Sequence, residues 1–276
     1  MPRPHTIRII ITTALVAIII AAAALIAIRL RPAAFAITGR APLGSTDDRM
    51  SDLPRVILWA WERPEDLRFI NPQEIGVAYL AATITLSGDR VAIRPRLQPL
   101  ALAPATRRIA VARIETDNRT RPLFSDEQRR RVVAALTALS QGEEVTAVQI
   151  DFDARASERT FYRAVLVDLR NELPATTRLS ITALASWCLG DNWIADLPID
   201  EAVPMLFRMG ADHDNIQIRL KAGDEFSAAV ARHSVGISMD EPVSARMADR
   251  RVYVFNPRPW TVDSVRQIIR EVQVTP

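Results

Sequence analysis

The sequence predicts an α/β protein, a (β/α)8 TIM-like barrel preceded by one N-terminal transmembrane helix. Three observations predict it. An uncharged run, Ile9 to Ile28, stands ahead of everything else. Eight short apolar runs rich in strand-forming residues recur from Val56 to Phe255. Helical patterns, some opened by a capping residue, lie between most of those runs. Strands alternating with helices over about 225 residues indicate a parallel sheet. A barrel of this kind takes roughly 250 residues. The main alternative is an open doubly wound sheet, but no Gly-rich phosphate fingerprint follows any strand.

The apolar run has 20 residues. At ~1.5 Å rise per residue a helix of that length crosses a hydrocarbon core of ~30 Å. Arg3 and Arg8 precede it, and Arg29 and Arg31 close it. Ala34-Phe35-Ala36 offers a small-x-small cleavage site. A signal-peptide core is only ~7–15 residues, however, so residues 1–31 read as a retained anchor. Residues 32–54, rich in Pro, Gly, Ala, Ser and Asp, read as a linker, and residues 55–276 as the barrel domain. Arginines flank both ends of the anchor, so the positive-inside rule discriminates little. The short tail with two arginines favours an N-terminus inside and a periplasmic domain on a bacterial inner membrane, in a single pass.

Lys221 is the only lysine, a bias of the kind GC-rich bacterial genomes impose. Acidic residues (32) nearly balance basic ones (35), and no basic run is interleaved with aromatics, so a nucleic-acid partner is not expected. The single cysteine, Cys188, forms no intramolecular disulfide.

The strand-like runs are Val56 to Trp61, Ile75 to Leu86, Ile109 to Ile114, Ala147 to Phe152, Leu179 to Ala185, Ala202 to Met209, Val235 to Met239 and Val252 to Phe255. Ser87-Gly88-Asp89 turns the second run into a return strand, Val91 to Ile93, so a hairpin and loop replace a helix there. Ser125, with Gln128 three residues on, forms a capping box for a helix to Leu139. A second helix runs from Ser157 to Leu173, ahead of Pro174. A third is expected over Asp224 to Arg232, and the last starts at Thr261 with Val265, Ile268 and Ile269 on one face.

The fourth run carries the chemistry. Alternate strand residues share a face. Val148, Ile150 and Phe152 then point to the helices, and Gln149, Asp151 and Asp153 into the barrel near its C-terminal mouth. Barrel interiors are usually filled by branched apolar side chains, so three inward polar positions in a row are poorly explained by packing. Two close carboxyls tend to hold one proton between them, which prepares a general acid at neutral pH.

The string Gln149-Ile150-Asp151-Phe152-Asp153 resembles the Asp-x-Asp-x-Glu end of the fourth strand in family-18 glycoside hydrolases. By that resemblance Asp153 falls at the general acid, Asp151 at the carboxylate that assists the substrate's acetamido group, and Gln149 at a further Asp. Met205 and Phe207 resemble that family's Met-x-Tyr pair. Asp153 is one methylene shorter than the Glu, and Phe207 lacks the Tyr hydroxyl. A fuller resemblance runs through Val148 to Arg155, Leu179 to Cys188 and Val203 to Gly210, and covers most of residues 55–260. It is to a bacterial domain-of-unknown-function family (domain of unknown function 3142), and it implies a glycosidase-like barrel.

Other carboxylates end strands where barrel active sites are built: Glu62, Glu115 with Asp117, and Asp240 with Glu241. Arg113 shares a face with Glu115, and Arg208 follows Phe207. Trp61, Trp187 and Trp260 lie near strand ends and could stack on sugars. Asp212-His213-Asp214 reads as a solvated loop; with so few histidines no metal is expected, and no motif asks for a cofactor. Two functions follow: a membrane-anchored glycosidase-like barrel with Asp153 as acid and Asp151 as partner, acting on an envelope or extracellular glycan, or a non-catalytic barrel that binds glycan or protein.

Because the apolar run exceeds a signal-peptide core, the protein extracted from membranes should retain residues 1–31. Intact-mass measurement reads this directly; a mature N-terminus near Ile37 would overturn it.

Overall fold

The structure is a computed structural model that describes residues 49–242, 247 and 249–274. The expected membrane helix and residues 32–48 of the expected linker lie outside the described residues. Among the described residues no helix is long and apolar enough to cross a membrane.

The strands are β1 (Val56–Ala60), β2 (Glu65–Leu67), β3 (Ile75–Ser87), β4 (Arg90–Pro95), β5 (Leu100–Leu102), β6 (Arg108–Thr116), β7 (Val145–Asp151), β8 (Arg178–Leu184), β9 (Glu201–Met205), β10 (Ser234–Ser238) and β11 (Arg251–Phe255). The helices are α1 (Asp126–Leu139), α2 (Arg159–Glu172), α3 (Ala185–Leu189), α4 (His213–Lys221) and α5 (Val262–Val274). Eight strands, β1, β3 and β6 to β11, run parallel in one sheet. The sheet closes because β1 pairs with β3 on one side and β11 on the other. That closure excludes the open doubly wound alternative.

Where barrels of this type usually carry the first two helices, this chain builds β structure. A short parallel pair, β2 with β5, forms in the two connections, and β4 returns antiparallel along β3 as the expected hairpin. The capping box of α1 forms as expected: Ser125 Oγ accepts the Gln128 N–H at 3.2 Å, and Gln128 Oε1 accepts the Ser125 N–H at 3.3 Å.

The expected helix over Asp224 to Arg232 does not form; only a 3-10 turn, Ala229–Ala231, lies there. The helix forms earlier, as α4, in the stretch read as a loop around Asp212-His213-Asp214. Its ends explain why. Asp214 sits in the first turn and Arg219 and Lys221 in the last, matching the helix dipole. Gly223, at φ +88°, then ends the helix in a conformation that costs glycine little. The sixth expected run is also shorter: β9 stops at Met205, so Phe207 and Arg208 stand on the loop above it.

Two apolar cores result. The larger lies between strands and helices and takes Val148, Ile150 and Phe152, together with Val165, Leu166 and Leu169 of α2. The smaller fills the barrel and includes Ile57, Trp59, Ile109, Val111, Val203 and Tyr253. A Cβ on Gly236 would meet Met205 Sδ at 2.9 Å and the Trp59 ring at 3.0 Å, so the absent side chain there makes room for the indole.

A polar chain threads the barrel core. Trp59 Nε1 donates to Gln149 Oε1 (2.9 Å), Gln149 Nε2 donates to Ser180 Oγ (3.1 Å), and Ser180 Oγ donates to Glu201 Oε2 (3.2 Å). The Glu201 side chain, 2% exposed, is compensated by Tyr253 OH at 2.6 Å and by Arg251 at 2.6 Å. A buried carboxylate without such partners would be costly.

The floor is sealed by residues 49–54, the end of the expected linker. Met50 and Leu53 are buried in the barrel core. Arg49 pairs with Asp200 at 2.8 Å, and Asp200 is held from the other side by Arg170 at 2.8 Å. Arg178 binds Asp52 and the Arg49 carbonyl, and Arg251 binds the Met50 carbonyl.

Burying a side chain such as Met or Leu contributes about 1.5–3 kcal/mol. A chain beginning at residue 55 should therefore melt well below one beginning at residue 49. At roughly 2–4 °C per kcal/mol for a domain of this size, the difference should reach at least about 6 °C in a thermal scan. Equal melting temperatures would show that the segment contributes nothing.

Candidate active site

The C-terminal ends of the barrel strands frame a cleft of about 270 Å³. Strand β7 delivers Asp151 as its last residue, and Asp153 follows two positions on. Phe152 between them turns outward and meets the Tyr162 ring edge-on, with centroids 5.1 Å apart. That anchoring sets the alternation, so both carboxylates line the cleft, as the strand pattern predicted.

Their environments differ. The Asp151 side chain is 14% exposed; Oδ1 accepts Thr182 Oγ1–H at 2.7 Å, and Oδ2 lies 3.4 Å from Arg113, a long contact. Burial raises the Asp151 pKa above the ordinary carboxylate value, against the opposing pull of the Thr182 hydrogen bond and the Arg113 charge. Asp153 and Glu115 push it further up. Asp153 is exposed and, among the described residues, makes no ion pair or hydrogen bond.

Aromatic rings build the rest of the cleft. Phe207 stacks on Phe255 with centroids 5.7 Å apart and planes 7° apart. Trp61 meets Phe255 edge-on at 6.5 Å, and Trp59 closes the bottom, 6.4 Å from Phe207. Each of the two outer rings is covered by an arginine: Arg113 lies 5.8 Å from the Trp61 centroid and Arg208 lies 5.0 Å from that of Phe255. Arg208 holds a left-handed backbone at φ +52°, unfavourable for a residue with a Cβ. Its N–H is gripped by both carboxylate oxygens of Glu241 at 3.2 Å.

The structure brings Trp61, Asp151, Asp153, Phe207 and Arg208 into one cleft. Gln149 lies below it, wholly buried, and acts on the cleft only through Trp59. Glu115 pairs with Arg113 at 2.9 Å and lines an adjoining groove. Asp240 accepts from Ser238 Oγ and lies 3.8 Å from Arg208. Glu62 leaves the site: Arg94 of β4 binds both its oxygens and holds its pKa down. Trp187 and Trp260, 3% and 5% exposed, are buried in the layer outside the barrel and cannot stack on a ligand in the mouth. Trp187 is displaced because the chain turns into α3 directly after β8; Trp260 instead donates from Nε1 to the Trp59 carbonyl at 2.9 Å. Sequence reasoning passed over Thr182 and Phe255. The signal was there in their alternation with Ser180 and Tyr253, which face the barrel core.

A carboxyl whose pKa is raised on folding favours the folded state at low pH, and that contribution is lost as pH rises through the raised value. Asp151→Asn should therefore change stability little at pH below the ordinary Asp value of 3.8 and gain on the parent as pH climbs above it. Melting temperatures of both chains across that range check this. A variant that loses ground as pH rises would show that Arg113 and Thr182 outweigh burial.

Residues 106–206, from just before β6 to just after β9, match the model of a family described as Domain of unknown function (DUF3142). The match is narrower than the expected 55–260, but it holds Asp151, Asp153 and Thr182. No curated protein matches the chain. Among solved structures the chain is similar to the crystal structure of the Bacillus cereus spore cortex-lytic enzyme SleL, at 14% identity and a TM-score of 0.44, over 67% of this chain and 52% of that one. The chain thus spans about half the length of that enzyme, and a likeness of this size carries no weight; the closed barrel stands on its own strand pairing. The family match is confined to the β6–β9 part of the barrel, which is the part that positions both aspartates.

Proposed function

We propose that the barrel is a glycan hydrolase of the bacterial envelope, with Asp153 as general acid and Asp151 as its electrostatic partner. One observation carries the reading: two carboxylates two residues apart line one aromatic cleft, the deeper fixed by Thr182 and the outer exposed. A fixed, ionised carboxylate can steady developing positive charge, and an exposed carboxyl can transfer a proton. Asp153 would protonate the glycosidic oxygen as the C–O bond breaks and take the proton back from the attacking water. Trp61 and Phe255 offer ring faces to sugars once Arg113 and Arg208 move aside. The resemblance to family-18 hydrolases supports a substrate with N-acetyl groups, in which Asp151 would also orient the acetamido group.

The uncharged run from Ile9 to Ile28 supports anchoring in the inner membrane, with the domain in the periplasm. A second reading, a barrel that binds glycan without cutting it, is favoured by the contact between Arg113 and Asp151, which partly neutralises one member of the pair.

The test is a glycan panel followed by two substitutions. On a substrate the parent cleaves, Asp153→Asn should lower turnover by about 10²–10⁴-fold while binding persists, because Asn keeps the shape but delivers no proton. Asp153→Glu should retain part of the activity. Full turnover by Asp153→Asn would remove Asp153 from the role of acid, and a parent that binds glycan but never cleaves it would establish the second reading.

A further inference from the structure

We infer that the site engages a glycan internally: a chain passes over the carboxylate pair with sugar units on both sides, instead of entering by its end. This rests on the reading above that the ligand is a glycan. Two cavities meet at Asp151 and Asp153. One is the aromatic cleft of about 270 Å³; the other, about 290 Å³, is a groove beside the ends of β6 and β7. Both are lined by Arg113, Asp151 and Asp153, so the carboxylates stand at the junction and not at a closed end.

The groove is built, not a gap left by poor packing. Glu158, 4% exposed, forms its base by accepting Thr116 Oγ1–H at 3.0 Å and the Arg155 N–H at 2.8 Å. Arg155 is further held by Asn118 Oδ1 at 2.5 Å. These bonds fix polar groups along the groove wall. Sites that bury a small ligand usually measure about 300–1,000 Å³. Each cavity alone falls just short of that range, and the two joined fall inside it. The arms also differ in chemistry. Trp61 and Phe255 suit the apolar face of one sugar ring, while Thr116 and Arg155 suit the hydroxyls of the next units. A site that trims chain ends would have a wall beyond the carboxylates where the groove continues.

The experiment measures calorimetric affinity of the detergent-extracted full chain for oligomers of two to six units. Two series serve as probes: β-1,4-linked N-acetylglucosamine, and alternating N-acetylglucosamine and N-acetylmuramic acid. Affinity should rise by about tenfold or more from disaccharide to tetrasaccharide in at least one series. Arg155→Trp, which would fill the groove, and Arg155→Ala, which would remove its donor, should each erase most of that gain; thermal melting confirms that both variants fold. Equal affinity for short and long oligomers, or variants that keep the full gain, would overturn the inference while leaving the glycan reading in place. Absence of binding at every length in both series would overturn both.

Discussion

The depth and shape of the mouth depend on one buried indole, Trp59. Its ring fills the upper barrel against Tyr253, with centroids 5.3 Å apart, and its N–H is satisfied by Gln149. Its carbonyl receives the Trp260 N–H, which ties β1 to the segment after β11 across the closure of the sheet. An indole in this place requires a neighbour without a side chain, and Gly236 supplies it. It also requires a polar partner in an otherwise apolar interior, and that partner must itself be satisfied. Hence Ser180, Glu201, Tyr253 and Arg251 follow in sequence down the barrel, each answering the group above it. The ionic base of the barrel and the aromatic floor of the cleft are ends of one hydrogen-bonded column.

Above that floor the two aspartates are separated by environment more than by distance along the chain. Thr182 holds the Asp151 carboxyl rigid, and burial raises its pKa against the pull of that bond and of Arg113. The other stands exposed where β7 has ended. The cleft's cations are restrained as well. Arg113 is shared among Asp151, Glu115 and the Trp61 ring, and Arg208 is held at a strained backbone angle above Phe255. Strain of that kind persists only where the surroundings enforce it, and the double contact from Glu241 does so here.

Much of this was legible in the sequence for a physical reason: strand alternation is strict. The outward Val148, Ile150 and Phe152 and the inward Gln149, Asp151 and Asp153 followed from period two alone, and the Ser125 and Gln128 pair marked a helix start by its own hydrogen bonds. What failed was whatever depended on where an element stops. α4 falls outside the expected helices because Asp212-His213-Asp214, at its start, reads as a loop. Trp187 and Trp260 were placed near strand ends correctly along the chain, but one turns into a helix and the other sits behind β1, and only tertiary packing decides that. Glu62 was lost to the hairpin, because no local pattern announces that Arg94 will reach it.

The segment from Arg49 to Leu53 seals the barrel at the end opposite the cleft. The chain therefore enters the domain from below its floor. A force applied at Arg49 would load the arginine and aspartate clasps of the floor before it reached the aspartates of the rim.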